Sequence, residues 1–167
     1  MRLRSFKTED APVIASWIRT EEEMYLWSAD RYNRFPVSGE DILEEYAPQV
    51  EKGRFFPLTA VDHEEETVGH FIIRYPREYD DSSVRFGFLI LKPELRGQGL
   101  GKEMLLLGIE YVKEHLTATR ISLGVFEDNK SAKYCYKALG YKEYSRIELE
   151  LPIGNMNCIN MEISVER

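Results

Sequence analysis

The part of this chain best suited to bind a ligand is the segment from Arg96 to Lys102, which reads Arg-Gly-Gln-Gly-Leu-Gly-Lys. Its glycines occupy alternate positions, and glycine lacks the Cβ atom that keeps other backbones away from a ligand. Helical periodicity begins within this segment. The first amides of that helix have no internal partner and lie at the positive end of its dipole. Such a loop favours an anion, and a pyrophosphate suits it.

Two common phosphate motifs do not fit this segment. A P-loop requires Gly-Lys followed by Ser or Thr, whereas Gly101 and Lys102 are followed by Glu103. The dinucleotide fingerprint requires Gly-x-Gly-x-x-Gly on the first turn of a long alternating chain, whereas this segment is Gly-x-Gly-x-Gly and lies past the middle of the chain. On these residues alone, a tight glycine turn without a ligand is the alternative.

Length, charge and cysteine content narrow the class of protein. The 167 residues suit one domain spanning residues 1–167. A net charge of −7 disfavours nucleic acid as a partner and permits an amine-bearing one. Cys135 and Cys158 show neither a disulfide framework nor metal-ligand spacing, so we expect no metal. No leader or membrane-spanning run is visible, and we expect a cytoplasmic protein without a membrane partner.

Alternating and continuous apolar runs predict the strands. They are placed at residues 3–6, 55–61, 68–75, 84–91, 120–126, 141–151 and 157–165. The strand, glycine segment, helix and strand at residues 84–126 predict a parallel pair with a right-handed crossover, whereas the other neighbours predict hairpins. The fold class is therefore α+β, with a mixed, mainly antiparallel sheet of about seven strands flanked by helices.

Caps and apolar spacing predict the helices. The first begins at a cap on Thr8 or Asp10. Its apolar side is expected to carry Val13, Ile14, Trp17 and Ile18. Further helices are predicted at residues 38–50, from the glycine segment to about residue 115, and from a cap on Asp128 or Asn129 to Gly140. Residues 20–38 contain a solvated acidic run at 21–23 and an aromatic-rich stretch suited to lining a pocket.

Two motifs surround the glycine segment. A strand, Pro93 and the pattern Arg-x-x-Gly-x-Gly occupy residues 89–101, and Asn129, Ala132, Tyr136 and residues 140–141 then form Asn-x-x-Ala-x-x-x-Tyr-x-x-x-Gly-Tyr. Together they resemble the two signatures of the GNAT superfamily of acyl-CoA N-acyltransferases. Residues 156–162 resemble more loosely the branch that contains ribosomal-protein N-acetyltransferases.

The resemblance implies the GNAT fold, in which a central parallel strand pair splays to hold acetyl-CoA. The backbone of residues 89–91 would bind the pantetheine arm, and the amides of residues 97–102 would bind the pyrophosphate. Charge-assisted bonds from Arg96 and Lys102 would add to this, while Asn129 would cap its helix and reach the pantetheine. The residues assigned to acetyl-CoA are Leu89, Ile90, Leu91, Arg96, Gly97, Gln98, Gly99, Leu100, Gly101, Lys102 and Asn129.

The same resemblance makes Tyr136 the general acid that protonates the departing CoA thiolate. A phenol of pKa about 10 is protonated at neutral pH, and a thiolate whose conjugate acid has a pKa near ~8.5 is a suitable acceptor. A core tyrosine without a catalytic role is the alternative. Tyr134 is the weaker candidate, because it lies on another face of the helix.

No general base is evident. Several N-terminal acetyltransferases of this superfamily have a glutamate five residues before the motif asparagine, and Gly124 stands at that position here. Candidate carboxylates and imidazoles elsewhere receive no catalytic assignment; they are Glu127, Asp128, His70 and Glu148.

We therefore expect an acetyl-CoA-dependent N-acetyltransferase in which a primary amine attacks the thioester directly. The amine belongs to a protein or peptide N-terminus or to a small molecule. A CoA-binding sensor or interaction domain without turnover is the alternative, because Gly124 supplies no base. Residues 24–35 and 152–155 are expected to shape the acceptor site, with acidic residues available to attract a cation. A monomer or a homodimer is expected.

Overall fold

The computed structural model describes residues 1–167. The strands are β1 (Arg2–Ser5), β2 (Phe55–Val61), β3 (Thr67–Arg74), β4 (Ser83–Leu91), β5 (Arg120–Phe126), β6 (Lys142–Leu151) and β7 (Gly154–Ser164). They form one sheet in the order β1-β2-β3-β4-β5-β7-β6. Only β4 and β5 pair in parallel, and every other neighbouring pair is antiparallel. The predicted α+β class and the mixed, mainly antiparallel sheet are confirmed.

Five helices flank the sheet. They are α1 (Asp10–Ser16), α2 (Glu21–Ser28), α3 (Gly39–Glu51), α4 (Leu100–His115) and α5 (Lys130–Ala138). The hydroxyls of Thr20 and Ser38 accept the first-turn amides of α2 and α3, and the side chain of Asn129 does the same for α5. The predicted cap at Asn129 is therefore confirmed, and α2 is an additional helix within residues 20–38.

The helices cover opposite faces of the sheet and enclose two apolar cores. One core lies under α4 and α5 and contains Phe71 and Met104, while the other lies under α1 to α3 and contains Ile42 and Ile72. Phe71, Ile72 and Ile73 of β3 alternate between the two cores, as successive side chains of a regular strand must. The central strands are thus buried on both faces, which explains why β2, β3 and β4 read as nearly continuous apolar runs, whereas β6 at the sheet edge is largely exposed.

The first helix differs from its prediction at its N-terminus. Its N-cap is Glu9, and neither Thr8 nor Asp10 caps it. The carboxylate of Asp10 is buried and forms two 2.8 Å bonds with the Arg4 guanidinium, while it also accepts the amide of Lys7 at 2.8 Å. Asp10 therefore ties the helix to β1, and a buried charge of this kind is tolerated only when it is paired.

The apolar side of α1 is also shorter than predicted. Ile14 is buried, but Val13 is 39 % exposed. The helix ends at Ser16, so Trp17 and Ile18 reach the core from the chain that follows it. Two of the four predicted side chains therefore lie beyond the C-terminus of the helix.

The last hairpin is tighter than predicted. Leu151 pairs with Gly154, so β7 begins at residue 154 rather than 157 and only Pro152 and Ile153 form the turn. Gly154 has φ 125°, a conformation that side chains with a Cβ rarely adopt. This glycine lets the chain reverse within two residues.

His70 is held neutral inside the core under α1 to α3. Its Nδ1 lies 2.8 Å from the Leu58 carbonyl oxygen, and its Nε2 lies 2.8 Å from the Tyr46 hydroxyl. A carbonyl only accepts, so Nδ1 carries the proton and Tyr46 donates to Nε2. Burial lowers the pKa of His70 to about 4.

We predict that the free energy of unfolding falls as the pH is lowered from 6.5 to about 4. In that window the unfolded histidine binds a proton that the native one does not, which corresponds to a loss of about 3 kcal/mol. Urea titrations should show this slope in the wild type and in His63→Gln, because His63 is exposed. The slope should be reduced in His70→Gln, and an unchanged slope there would assign the effect to another group.

Candidate active site

The parallel strands separate after a short paired stretch. Only residues 83–85 of β4 and residues 120–122 of β5 are in register. A bulge then interrupts the pairing of β4 with β3, and Phe88 takes φ 52°, which is unusual for an aromatic residue. Beyond Arg85, the backbone groups of β4 that face β5 have no strand partner. The splayed parallel pair that the family resemblance implied is thus present.

The bulge changes the direction of every side chain that follows it. Val84 and Phe86 belong to the core under α4 and α5, whereas Ile90 belongs to the core under α1 to α3. All three positions have even numbers, so a regular strand would place them on one face. Leu89 and Leu91 consequently face α4 and line the opening between the strands.

Helix α2 is anchored over the bulge. The indole Nε1 of Trp27 donates a 2.9 Å hydrogen bond to the Phe88 carbonyl oxygen. The ring of Tyr32 stacks on Trp27 with centroids 5.6 Å apart. These contacts hold the strained backbone and fix α2 along one side of the opening.

The glycine segment forms the N-terminus of α4. Gly97 and Gly99 have φ 76° and 81°, and nothing lies within 4 Å of a Cβ atom placed on either residue. Gly99 is the N-cap of a helix of 16 residues, so free amides and the positive dipole end meet at an open surface. Arg96 donates through Nε to the Leu91 carbonyl oxygen at 3.2 Å, which holds the segment against the end of β4. This arrangement fits a pyrophosphate.

A cavity of about 440 Å³ extends from the glycine segment along the splayed strands to α5. Nine of the eleven residues that the sequence assigned to acetyl-CoA line it; they are Leu89, Ile90, Leu91, Arg96, Gly97, Gly99, Gly101, Lys102 and Asn129. Gln98 and Leu100 do not line it. The Gln98 side chain instead donates to the Glu94 carbonyl oxygen at 3.3 Å, and Leu100 is the first residue of α4.

One wall of this cavity was only partly predicted, because the aromatic-rich stretch suited to lining a pocket includes Leu26 and Trp27 but not the other residues of the wall. Trp17, Ile18, Glu23, Leu26 and Trp27 supply it from α2 and the chain before it. A signal for this helix exists in the sequence, because Thr20 and Glu23 have the spacing of a capping box. No local feature of the sequence predicts where α2 lies over the sheet.

Tyr136 lies between this cavity and a second one of about 300 Å³. The residues that line both cavities are Leu26, Leu89, Asn129 and Tyr136. Tyr136 is only 8 % exposed, and burial raises the pKa of its phenol well above the usual value. It therefore stays protonated at neutral pH and is available as a proton donor. Tyr134 is 79 % exposed and lines neither cavity.

The second cavity lies under residues 26–31 and is walled by β3, β4, β5 and β6. Of the two segments expected to shape an acceptor site, part of residues 24–35 lines it and residues 152–155 do not. Its charged lining residues are Asp30, Arg31, Arg74 and Arg85. Asp30 is the only carboxylate among them, whereas the three arginines come from residue 31, after α2, and from β3 and β4.

Gly124 leaves the space that the Arg85 side chain occupies. A Cβ atom there would lie 2.7 Å from Arg85 Nη2 and 3.1 Å from Cys158 Sγ. Both distances are shorter than ordinary van der Waals contacts, so any side chain would displace its neighbours. The space that a glutamate would need is filled by the guanidinium of Arg85.

None of the four candidate bases lines either cavity. His70 is fully buried and bonded at both nitrogens. Glu127 binds Arg146 and Asn157, and Asp128 and Glu148 are exposed. Their lack of a catalytic assignment agrees with this placement.

Cys135 lines the first cavity and Cys158 the second. Burial raises the pKa of both thiols, so each is protonated at neutral pH and is a weak nucleophile. No group of three or more histidine, cysteine, aspartate or glutamate side chains is placed to hold a metal ion. No helix combines the length and apolar character needed to cross a bilayer.

Comparison with known proteins agrees with this geometry. The model of the acetyltransferase (GNAT) family matches residues 17–141. The chain is 28 % identical over 149 residues to the peptidyl-lysine N-acetyltransferase YjaB of Salmonella typhimurium, a match that covers 88 % of this chain and 86 % of that protein.

Solved structures share the fold at lower identity. Spermidine N-acetyltransferase from Vibrio cholerae, in complex with CoA and spermine, has a TM-score of 0.83 at 19 % identity and covers 98 % of this chain and 94 % of its own. Ribosomal-protein-S5-alanine acetyltransferase from Vibrio fischeri has a TM-score of 0.78 at 16 % identity and covers 98 % and 92 %.

The chain therefore belongs to the GNAT family of acetyltransferases. It is an N-acetyltransferase whose acetyl donor is acetyl-CoA. The free amides at the start of α4 and the adjoining cavity offer groups that suit a pyrophosphate.

We predict that Gly99→Val weakens acetyl-CoA binding at least about tenfold, or ~1.4 kcal/mol. A β-branched residue is strained at φ 81°, so the loop must move and its amides cease to converge on one point. Titration calorimetry on the folded variant measures this effect. Gly53→Val is the matched control, because Gly53 has a similar φ of 72° with nothing within 4 Å of an added Cβ atom and lines neither cavity. Wild-type affinity in folded Gly99→Val would remove this loop from the donor site.

Proposed function

We propose that this chain acetylates a primary amine held in the second cavity, with Tyr136 as general acid. The observation that carries the proposal is the position of Tyr136, which lines both cavities. A thioester that enters from the first cavity and an amine that enters from the second would meet at this residue. Direct attack therefore needs no acyl-enzyme intermediate.

The bonds of the reaction follow from this placement. The amine nitrogen bonds to the acetyl carbonyl carbon, the carbon–sulfur bond breaks, and the thiolate sulfur takes the phenolic proton of Tyr136. The amine releases its own proton to water, and water returns one to Tyr136. Unpaired backbone amides near Leu91 are suited to stabilise the charge on the carbonyl oxygen.

The raised pKa of Tyr136 is compatible with this role. Burial keeps the phenol protonated over the neutral and alkaline range. The same water-poor surroundings raise the pKa of the leaving thiolate, since desolvation disfavours every anion. Proton transfer to the sulfur is then driven by the charge that develops as the carbon–sulfur bond breaks.

The family and the relatives support an amine acceptor. The similar Salmonella protein is named for lysine and the Vibrio cholerae one for spermidine, and both are primary amines. The proposed acceptor of this chain is the N-terminus of a protein or peptide, or a small amine. Its chemistry depends on the second cavity.

We predict that Tyr136→Phe lowers kcat by about 100-fold, because general acid catalysis contributes on this scale. The affinity for acetyl-CoA, measured by calorimetry, should stay near the wild-type value, since the change removes one oxygen atom. Tyr134→Phe removes the same atom from an exposed tyrosine on the same helix and should keep full activity. Equal turnover in wild type and Tyr136→Phe would remove Tyr136 from its role.

The sequence offered a CoA-binding domain without turnover as the alternative, because no carboxylate occupies the position of Gly124. Release of free CoA thiol, followed with a thiol reagent over a panel of amines and peptides, separates the two. We expect amine-dependent thiol release. Acetyl-CoA binding without release from any amine would favour the binding domain.

A further inference from the structure

The second cavity has a cationic lining. Arg31, Arg74 and Arg85 line it, and Asp30 is its one carboxylate. Arg31 contributes least, because its side chain is 48 % exposed and lies 3.7 Å from the carboxylate of Glu45. The field inside the cavity is therefore set mainly by the other two arginines.

Arg74 and Arg85 are placed directly opposite each other. They form a register pair between β3 and β4, where like charges oppose each other unless an anion separates them. Burial, together with the nearby charges of Arg85 and Arg31, lowers the pKa of Arg74 to about 10. No acidic side chain offsets these effects. A half-buried guanidinium without a counterion lacks the compensation that such groups normally have.

Arg85 is held in position by neutral partners. Its Nη2 donates to Asn160 Oδ1 at 2.8 Å and its Nη1 approaches Ser122 Oγ at 3.4 Å. The Asn160 amide in turn donates to Ser145 Oγ at 3.0 Å, so the guanidinium is oriented but not neutralised. A guanidinium has five N–H donors, and those left over remain available to a ligand.

We propose that the acceptor carries an anionic group, a carboxylate or a phosphate, beside its primary amine, and that Arg74 and Arg85 bind this group. The proposal rests on the acetyltransferase function proposed above. Two guanidinium forks side by side match the oxygens of either anion. A cavity of about 300 Å³ suits a molecule of a few carbon atoms.

The same charges disfavour a polyamine. A second ammonium group in this cavity would meet Arg74 and Arg85 without a compensating carboxylate, apart from Asp30.

The two arginines also reduce the need for a general base. Deprotonating an alkyl amine of pKa 10.4 at pH 7 costs about 4.6 kcal/mol, and neighbouring cations reduce this cost by favouring the neutral amine.

Matched pairs of amines test the proposal. β-Alanine and propylamine differ in a carboxylate, and O-phosphoethanolamine and ethanolamine differ in a phosphate; spermidine represents the polycations. With the wild-type enzyme we expect kcat/KM, from thiol release, to be at least about tenfold higher for an anionic member than for its neutral counterpart and for spermidine. The pair with the larger ratio identifies the anion.

Arginine variants localise the effect. Arg74→Gln should raise KM for the anionic amine at least about tenfold with a smaller change in KM for the neutral amine, and it breaks no hydrogen bond or ion pair of the native protein. Arg85→Gln should act in the same direction. Arg120→Gln is the control, because Arg120 lies on β5 outside both cavities and pairs with Glu162 at 3.6 Å.

Two failures are distinguishable. If neutral amines or spermidine turn over as well as the anionic ones, or if Arg74→Gln leaves the preference intact, the anionic acceptor is wrong while the acetyltransferase function stands. If no amine causes release of CoA thiol, both the proposed acetyl transfer and the proposed anionic acceptor fail as statements about activity. Calorimetry with the CoA-bound protein then gives a separate reading, in which equal affinities for β-alanine and propylamine would remove the anion site as well.

Discussion

The bulge at Phe88 is the constraint on which both cavities depend. It holds an aromatic residue at φ 52°, and the pairing of β4 with β5 stops just before it, after three positions. A regular sheet would use these main-chain groups for strand pairing, whereas here they border an opening. The Trp27 indole holds the bulge through the Phe88 carbonyl oxygen. Strain of this kind persists only where its surroundings enforce it, and α2 supplies that enforcement.

The two cavities that the bulge separates have different chemistry. The first combines apolar strand residues with the free amides of the glycine segment, so it recognises a ligand mostly through the main chain. The second depends on side-chain charge, and two of its three arginines, Arg74 and Arg85, come from β3 and β4. Under the proposed function, donor binding is therefore built into the shared fold, while acceptor preference is carried by a few substitutable side chains.

Gly124 shows how the meaning of one residue depends on its neighbours. In the sequence, Gly124 stands where a glutamate is expected, and it therefore indicates an enzyme without a general base at this position. In the structure it is the space occupied by the Arg85 guanidinium, since a Cβ atom would lie 2.7 Å from Nη2. An absent carboxylate and a present cation change the charge of the second cavity in the same direction, from negative to positive.

The sequence by itself determined the strands, most helices, the cap at Asn129 and the glycine segment, because propensity, capping and periodicity are local properties. Tyr136 and nine of the residues that the motifs assigned to acetyl-CoA also line one cavity. Only the tertiary structure decided the bulge, the position of α2 and the pairing of Arg74 with Arg85. These depend on which strands are neighbours and in what register, and residues that meet across a sheet leave no signal in the spacing along the chain.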